Sequence, residues 1–326
     1  MKKLNPEKQS IYLRASVSDR CNFACVYCAF DLGMENHTPV NIVAPLLSIE
    51  DYVKNLKLIA DRGFKNVSFT GGEPFCNPNF PEILKRCRDF FEIIEVTTNG
   101  TKLLDNINCL EYIDSLKISI DAMNPNLSFS ITKNRESARV PEIIEELCRR
   151  GIKHIGLNFV YMKMNRNELA PIINFARELN EKYSADVQLR VLDLYRSKGT
   201  ENFWKEQFVP LKTVREELIA AGTEVKRRVR IGCDSYNYEA AGVIVNMKDS
   251  ITSTTRADIC DNCPEFCQEG IYSLKHSASG WISVCPSNSE SLGRLISAET
   301  NEEVAPDDID YFIDVINKCE SVTQTV

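Results

Sequence analysis

An α/β fold built on parallel strands is expected from three observations. Short β-branched runs alternate with helical patterns from residue 11 to about residue 220. The helical stretches place apolar residues at three- and four-residue steps, while the strand candidates are brief. Six strand units can be counted, fewer than the eight of a closed TIM barrel. The array is therefore either an open doubly wound sheet or a barrel or part-barrel.

The elements follow in order. Strands are expected at 11–17, 66–70, 93–97, 116–120, 155–161 and 187–192. Helices are expected at 49–62, 81–91, 140–150 and 167–183. Tyr52, Leu56, Leu58 and Ile59 form the apolar stripe of the first helix, and Ile172, Ile173, Phe175 and Leu179 that of the last. A further helix closes over 216–221 and Gly222 punctuates it. The chain then changes character. Lys226, Arg227 and Arg228 read as a solvated basic run, and from Cys233 on long periodic helices are scarce and cysteine is frequent. The division expected is a core over 1–222 and a smaller appended module over 223–326.

Composition narrows the function. The chain has 326 residues, 43% of them hydrophobic, which is enough for a substantial core. A formal net charge of −7 argues against a protein built to grip nucleic acid. No stretch approaches the ~18 uninterrupted apolar residues of a membrane span, and no apolar run follows the charged N-terminus as in a signal peptide. A cytoplasmic protein is expected. There, clustered cysteines read as metal or redox sites rather than disulfides. Cys76, Cys87, Cys109, Cys148 and Cys319 are scattered singly and read as small buried hydrophobes.

Cys21, Cys25 and Cys28 are different. They have the spacing C-x3-C-x2-C and follow the first strand, which puts them at the C-terminal rim where ligands of such folds gather. Three thiolates on one loop can hold three irons of a [4Fe–4S] cluster and leave the fourth open to a small molecule. A zinc knuckle is the competing reading, but it needs a fourth nearby ligand, and the nearest histidine, His37, lies on a separate stretch. Chance clustering among 13 cysteines is another. The second strand ends in Thr70-Gly71-Gly72-Glu73-Pro74, which lies on the same rim. Two glycines allow close backbone approach, and Glu73 is an anion suited to an ammonium group.

The conjunction of these motifs resembles the radical SAM superfamily, whose fold is a (β/α)6 partial TIM barrel. The resemblance implies that Cys21, Cys25 and Cys28 hold a [4Fe–4S] cluster whose open iron binds S-adenosylmethionine (SAM). It implies that Tyr27 contacts the adenine through its backbone and that Gly71, Gly72 and Glu73 meet the methionyl amine. Reduction by an external one-electron donor such as flavodoxin or ferredoxin then yields a 5′-deoxyadenosyl radical that abstracts hydrogen from substrate. Residues 13–23, Thr97-Thr98-Asn99-Gly100 and Ile118-Ser119-Ile120-Asp121 are similar to the GTP 3′,8-cyclase group of molybdenum-cofactor biosynthesis. This implies that Ser119 binds the SAM ribose, Tyr195 lies near the adenine, and Arg14 and Thr97 approach the substrate.

The tail carries Cys260, Cys263, Cys267 and Cys285, the last closing a Gly280–Cys285 segment. The resemblance implies a SPASM- or twitch-like auxiliary [4Fe–4S] cluster on three or four of these thiols, with Cys233 in reserve. Tetrahedral zinc is the competing reading, since four thiols suit it. The chain departs from the cyclase group in its cations. Ser68, Gly156 and Ser273 stand where the cyclases have phosphate- or substrate-binding Arg or Lys, Lys275 replaces an arginine, and residues 323–326 are not a Gly-Gly tail. A triphosphate is held largely by charge-assisted contacts, so a small molecule other than GTP is expected. A peptide-modifying enzyme is the alternative, but only about ten residues precede the first strand, which leaves no room for a peptide-recognition domain. A non-catalytic iron–sulfur or zinc protein would not need an open cluster site.

Overall fold

The computed structural model describes residues 2–8, 11–28, 46–196, 199–228, 231, 233–248, 255–263, 267–268, 270–285, 292–294 and 306–319. His37 and residues 323–326 lie outside them.

Strands β1 (Tyr12–Ser16), β2 (Asn66–Thr70), β3 (Ile93–Thr98), β4 (Ser115–Ser119), β5 (His154–Tyr161) and β6 (Asp186–Asp193) lie side by side in chain order. All neighbours among them are parallel. Parallel neighbours require crossovers, and α1 (Ile49–Asp61), α2 (Phe80–Cys87), α3 (Pro125–Thr132), α4 (Val140–Arg149) and α5 (Leu169–Tyr183) lie in them. The fold is the (β/α)6 part-barrel. The six expected strands form within one or two residues of their expected ends. The α3 helix was not expected: its apolar stripe is short, and its start is set by the Asn124 side chain, which accepts from Asn126 N and Leu127 N.

Alternation sorts each strand into two faces. Leu13, Ala15, Val67, Phe69, Ile94, Val96, Leu116 and Ile118 are buried in the main core with the helices. Arg14, Ser68, Glu95 and Lys117 occupy the opposite, concave face. Their rows are aligned by register, with Arg14 opposite Ser68, Ser68 opposite Glu95, and Lys117 opposite Thr97.

After α6 (Glu201–Gln207) and α7 (Leu211–Ala220), the tail extends the sheet on both edges. A meander of β7 (Lys226–Arg228), β8 (Ser235–Ala240) and β9 (Val243–Lys248) joins through β9, which runs parallel to β6. At the other edge β10 (Leu274–His276) runs parallel to β1, followed by antiparallel β11 (Trp281–Ser283) and β12 (Leu292–Arg294).

Three readings need correction. The tail contains a 13-residue helix, α8 (Pro306–Lys318), whose Ile309, Phe312, Ile313 and Ile316 are buried at helical spacing. The basic run is not wholly solvated, because Arg227 pairs with the buried carboxylate of Asp234. Among the single cysteines, Cys87, Cys109 and Cys148 are buried as expected, but Cys76 and Cys319 are only partly covered.

Candidate active site

The cysteine loop leaves β1 at the C-terminal rim and is held mainly through its backbone. Ala24 N donates to Thr132 O (3.0 Å) and Val26 N to Ile131 O (2.9 Å), which fixes the loop on α3. Asn134 Nδ2 donates to Asn22 O (2.7 Å). Asn22 in turn donates to Thr101 Oγ1 (2.9 Å) and accepts from Asn99 Nδ2 (2.7 Å). Tyr27 is anchored by its side chain, its hydroxyl donating to Asp121 Oδ2 at 2.7 Å, while Asp121 Oδ1 accepts from Val160 N at 2.9 Å. Burial raises the Asp121 carboxyl to about 6, against the lowering effect of these two hydrogen bonds.

The glycine motif is joined directly to this loop. Gly72 N donates to Ser18 O (3.0 Å) and Glu73 N to Arg20 O (2.8 Å). Gly71 has φ +135°, and a Cβ there would sit 2.6 Å from Ser18 O. At Gly72 it would sit 2.1 Å from Arg20 O. The glycines are therefore required for the approach of one motif to the other, in addition to any ligand contact.

The Glu73 carboxylate is almost wholly buried. It accepts from Phe75 N (3.1 Å), Thr98 Oγ1 (2.7 Å) and Asn99 N (2.7 Å). Burial raises its pKa, and the hydrogen bonds from Asn99, Thr98 and Phe75 act in the opposite sense. The side chain thus links the end of β2 to the end of β3. Thr97, Ser119 and Tyr195 lie at the ends of β3, β4 and β6 on the same rim, each partly exposed.

Among the described residues, no three His, Cys, Asp or Glu side chains gather tightly enough to hold one metal ion. A four-iron cube instead takes its thiolates at separate corners. The donor set fits such a group: Cys21, Cys25 and Cys28 are three thiols on one loop, none of them in a disulfide. Phe23 N donates to Cys21 Sγ at 3.3 Å and Asn99 Nδ2 stands 4.0 Å from it. Burial pushes the Cys25 thiol well up, so metal binding there displaces a proton.

The family model of the radical SAM superfamily matches residues 15–176. The chain belongs to the radical SAM superfamily. This radical SAM enzyme is similar to the GTP 3′,8-cyclase of Limosilactobacillus fermentum, 28% identical over 293 residues that cover 87% of this chain and 82% of the relative. The GTP 3′,8-cyclase of Listeria monocytogenes serovar 1/2a is also 28% identical, over 84% of this chain and 78% of the relative. In fold it is similar to Streptococcus suis SuiB bound to S-adenosylmethionine, with a TM-score of 0.56 and 16% identity. That match covers 94% of this chain and 65% of SuiB, so the chain spans slightly less than two thirds of SuiB's length.

The concave face of this radical SAM enzyme is rich in charge. Arg14 Nη1 donates to Tyr272 Oη at 3.0 Å. Lys275, opposite Arg14 across the β1–β10 pair, lies 5.0 Å from the centre of the Tyr272 ring, and Lys248 lies 5.2 Å from it. Three cations from β1, β9 and β10 therefore meet at one aromatic ring. Beside them Glu95 pairs with Lys117 and accepts from Ser68 Oγ at 2.8 Å. Burial pushes the Glu95 carboxyl up, but Lys117 and Arg190 outweigh it and hold the group below its ordinary value. A Cβ at Gly156 would lie 3.4 Å from Lys117 Cγ and 3.6 Å from Arg190 Cδ. Both are ordinary van der Waals distances, so Gly156 lies between two long cations without their packing requiring a glycine.

In the tail, Cys260 and Cys285 pack against the core, and Cys263 N donates to Cys260 O at 3.2 Å. Gly270 N donates to Cys267 Sγ at 3.2 Å. Cys233 is buried, in keeping with a core thiol, and Ser273 is buried too. Sequence reasoning missed Asn22, Asn99 and Asn134 as the struts of the cysteine loop. Asn99 was within reach, because it directly follows a strand in a quoted motif. Asn134 was not, since only the tertiary fold brings it to residue 22.

Proposed function

We propose that this enzyme cleaves SAM reductively and takes a hydrogen atom from a small anionic molecule other than GTP. The observation that carries the reading is the joining of the cysteine loop to Gly71 and Gly72 at one rim. When bound, the reduced cluster supplies the electron that splits SAM to methionine and a 5′-deoxyadenosyl radical. Cys21, Cys25 and Cys28 would hold that cluster, with Asn99 and the Phe23 N–H stabilising the Cys21 thiolate. Backbone groups of Gly71, Gly72 and Tyr27, with Ser119 and Tyr195, would line the SAM site. Glu73 would act by holding the glycine turn against β3.

Arg14 and Thr97 would contact substrate. The cations around Tyr272 favour a carboxylate or a single phosphate. Ser68, Gly156 and Ser273 supply no charge of their own to a triphosphate, and Ser68 is engaged by an acidic side chain. Radical abstraction needs position more than a proton-transfer side chain.

Residues 223–326 form a module on which Cys260, Cys263, Cys267 and Cys285 would carry an auxiliary [4Fe–4S] cluster. The electron donor would be a flavodoxin or ferredoxin. Neither nucleic acid nor membrane is a partner in this reading, and the enzyme is cytoplasmic. Among the described residues no helix is long and apolar enough to cross a membrane.

Anaerobic reconstitution followed by reduction in the presence of SAM tests the chemistry. 5′-Deoxyadenosine is expected, and its absence would sink the proposal. About eight irons per chain are expected for two clusters, whereas about four would remove the auxiliary one.

A further inference from the structure

The backbone leaves the sheet just beyond β6. Among the described residues, pairing between β6 and β9 ends at Leu192 opposite Lys248, and no strand register extends to residues 194–196. The side chain of Gln268 takes the place of a neighbouring strand there. Its Nε2 donates to Leu194 O at 3.1 Å and its Oε1 accepts from Arg196 N at 2.6 Å. This is the bond pair a neighbouring strand would make to alternate residues. Gln268 is 1% exposed; its bond to Leu194 O is buried and that from Arg196 N partly so.

The two ends of this clamp lead to the two cysteine groups. Gln268 directly follows Cys267 in the tail. Leu194 is buried with Ile131 and Met162 in a small second core, and Val26 and Tyr27 of the first cysteine loop pack on that core. Leu194 O also accepts from Trp204 Nε1 at 3.0 Å, and Arg196 lies over the Trp204 ring. Tyr195, between the two clamped residues, is the one assigned above to the adenine side of the SAM site.

We infer that Gln268 is a positioning residue that ties the tail cysteine module to the adenine side of the SAM site, so that the state of the tail sets SAM affinity. The inference rests on the SAM-site and auxiliary-cluster assignments proposed above. Binding of iron at Cys267 orders its neighbour Gln268. Gln268 in turn holds 194–196 against the second core and fixes Tyr195.

The test uses full-length, anaerobically reconstituted enzyme and SAM itself as the probe. Gln268→Leu removes both hydrogen bonds at similar volume. Gln268→Glu keeps the acceptor for Arg196 N and loses the donor to Leu194 O. The SAM dissociation constant, by equilibrium dialysis, should rise on the order of ten-fold in Gln268→Leu and less in Gln268→Glu. Hydrogen exchange of the 194–196 amides should accelerate in Gln268→Leu and less in Gln268→Glu, which keeps the acceptor for Arg196 N. Cys260→Ala/Cys263→Ala should weaken SAM binding to a similar degree, and adding Gln268→Leu should cause no further loss.

SAM binding within two-fold of the unaltered enzyme in Gln268→Leu overturns the inference. So does a lowered thermal midpoint with unchanged SAM affinity, which is what a purely structural staple predicts. Unchanged exchange at 194–196 in the cysteine variant overturns it as well. If Gln268→Leu fails to fold, Gln268→Glu and the exchange data decide. Iron content is read separately. About four irons in both the unaltered and the cysteine-variant enzymes remove the auxiliary cluster, and Gln268→Leu then still decides the clamp.

Discussion

A methyl group at position 72 would meet the Arg20 carbonyl oxygen at 2.1 Å, and neither partner is a flexible side-chain end. Gly72→Ala must therefore push the 18–21 backbone away, and with it Cys21. Iron analysis after anaerobic reconstitution should show about four fewer irons than the unaltered enzyme, with the tail's content retained. Glu73 carries a different constraint. All its described partners are donors, so Glu73→Gln turns an amide N–H₂ toward a backbone or hydroxyl donor. The cost expected is about 1–3 kcal/mol for the unsatisfied group. A lower thermal midpoint together with weaker SAM binding, by dialysis, is the outcome that checks the strut role. Gln at 73 with full affinity would deny it.

At the scale of elements, the β10 strand is fastened to α1 by an uncharged histidine. His276 is fully buried, its Nε2 is 3.2 Å from Asn55 Nδ2, and its ring meets Tyr52 edge-on at 5.1 Å. Tyr52 in turn donates to Ser16 O at 2.8 Å, next to the cysteine loop. Burial lowers the His276 pKa from 6.5 to about 3. The unfolded chain thus binds a proton that the folded chain refuses in this window. The stabilisation is present above pH 6.5 and is lost as pH falls toward 3. Its contribution to the slope approaches ~1.4 kcal/mol per pH unit. Chemical unfolding of the unaltered chain and His276→Asn between pH 7 and 4 should show a flatter dependence in the variant. Equal slopes would mean that the histidine is not the titrating group.

Over the whole molecule, the N-terminal segment 2–8 and the loop after α1 close on α8. Phe312 of α8 stacks on Phe64 with ring centres 5.8 Å apart, and Asp310 pairs with the buried Arg62 at 2.5 Å. Lys8 Nζ donates to Cys319 O at 2.6 Å, and Asn317 bonds to Lys3 and Asn5. The tail thus adds strands at both sheet edges and a helix under the N-terminal segment. Phe312→Ala should cost about 3–5 kcal/mol. If the tail unfolded independently of the barrel, denaturation followed by far-UV circular dichroism would instead show two transitions with only one displaced.

The six strands and the apolar faces of the long helices were legible because they repeat locally, at two and about 3.6 residues. The cluster site proposed for Cys21, Cys25 and Cys28 is suggested by the sequence because three thiols share one eight-residue stretch. The α8 helix was legible in principle from Ile309, Phe312, Ile313 and Ile316, but the cysteine-rich composition before it drew the reading elsewhere. The anchoring of Asn22 by Asn134, the meeting of Arg14, Lys248 and Lys275 at Tyr272, and the clamp of Gln268 on Leu194 and Arg196 join residues far apart in the chain. No local period encodes them. The sequence by itself determined the strand–helix alternation and the rim motifs, which rest on short-range pattern, and through their resemblance the superfamily and its part-barrel; pattern alone left an open sheet as the alternative. Only the tertiary structure decided that the glycines suture the two motifs, that Glu73 is a buried strut, and that the tail completes both edges. Those facts depend on which distant backbones pack within hydrogen-bond reach.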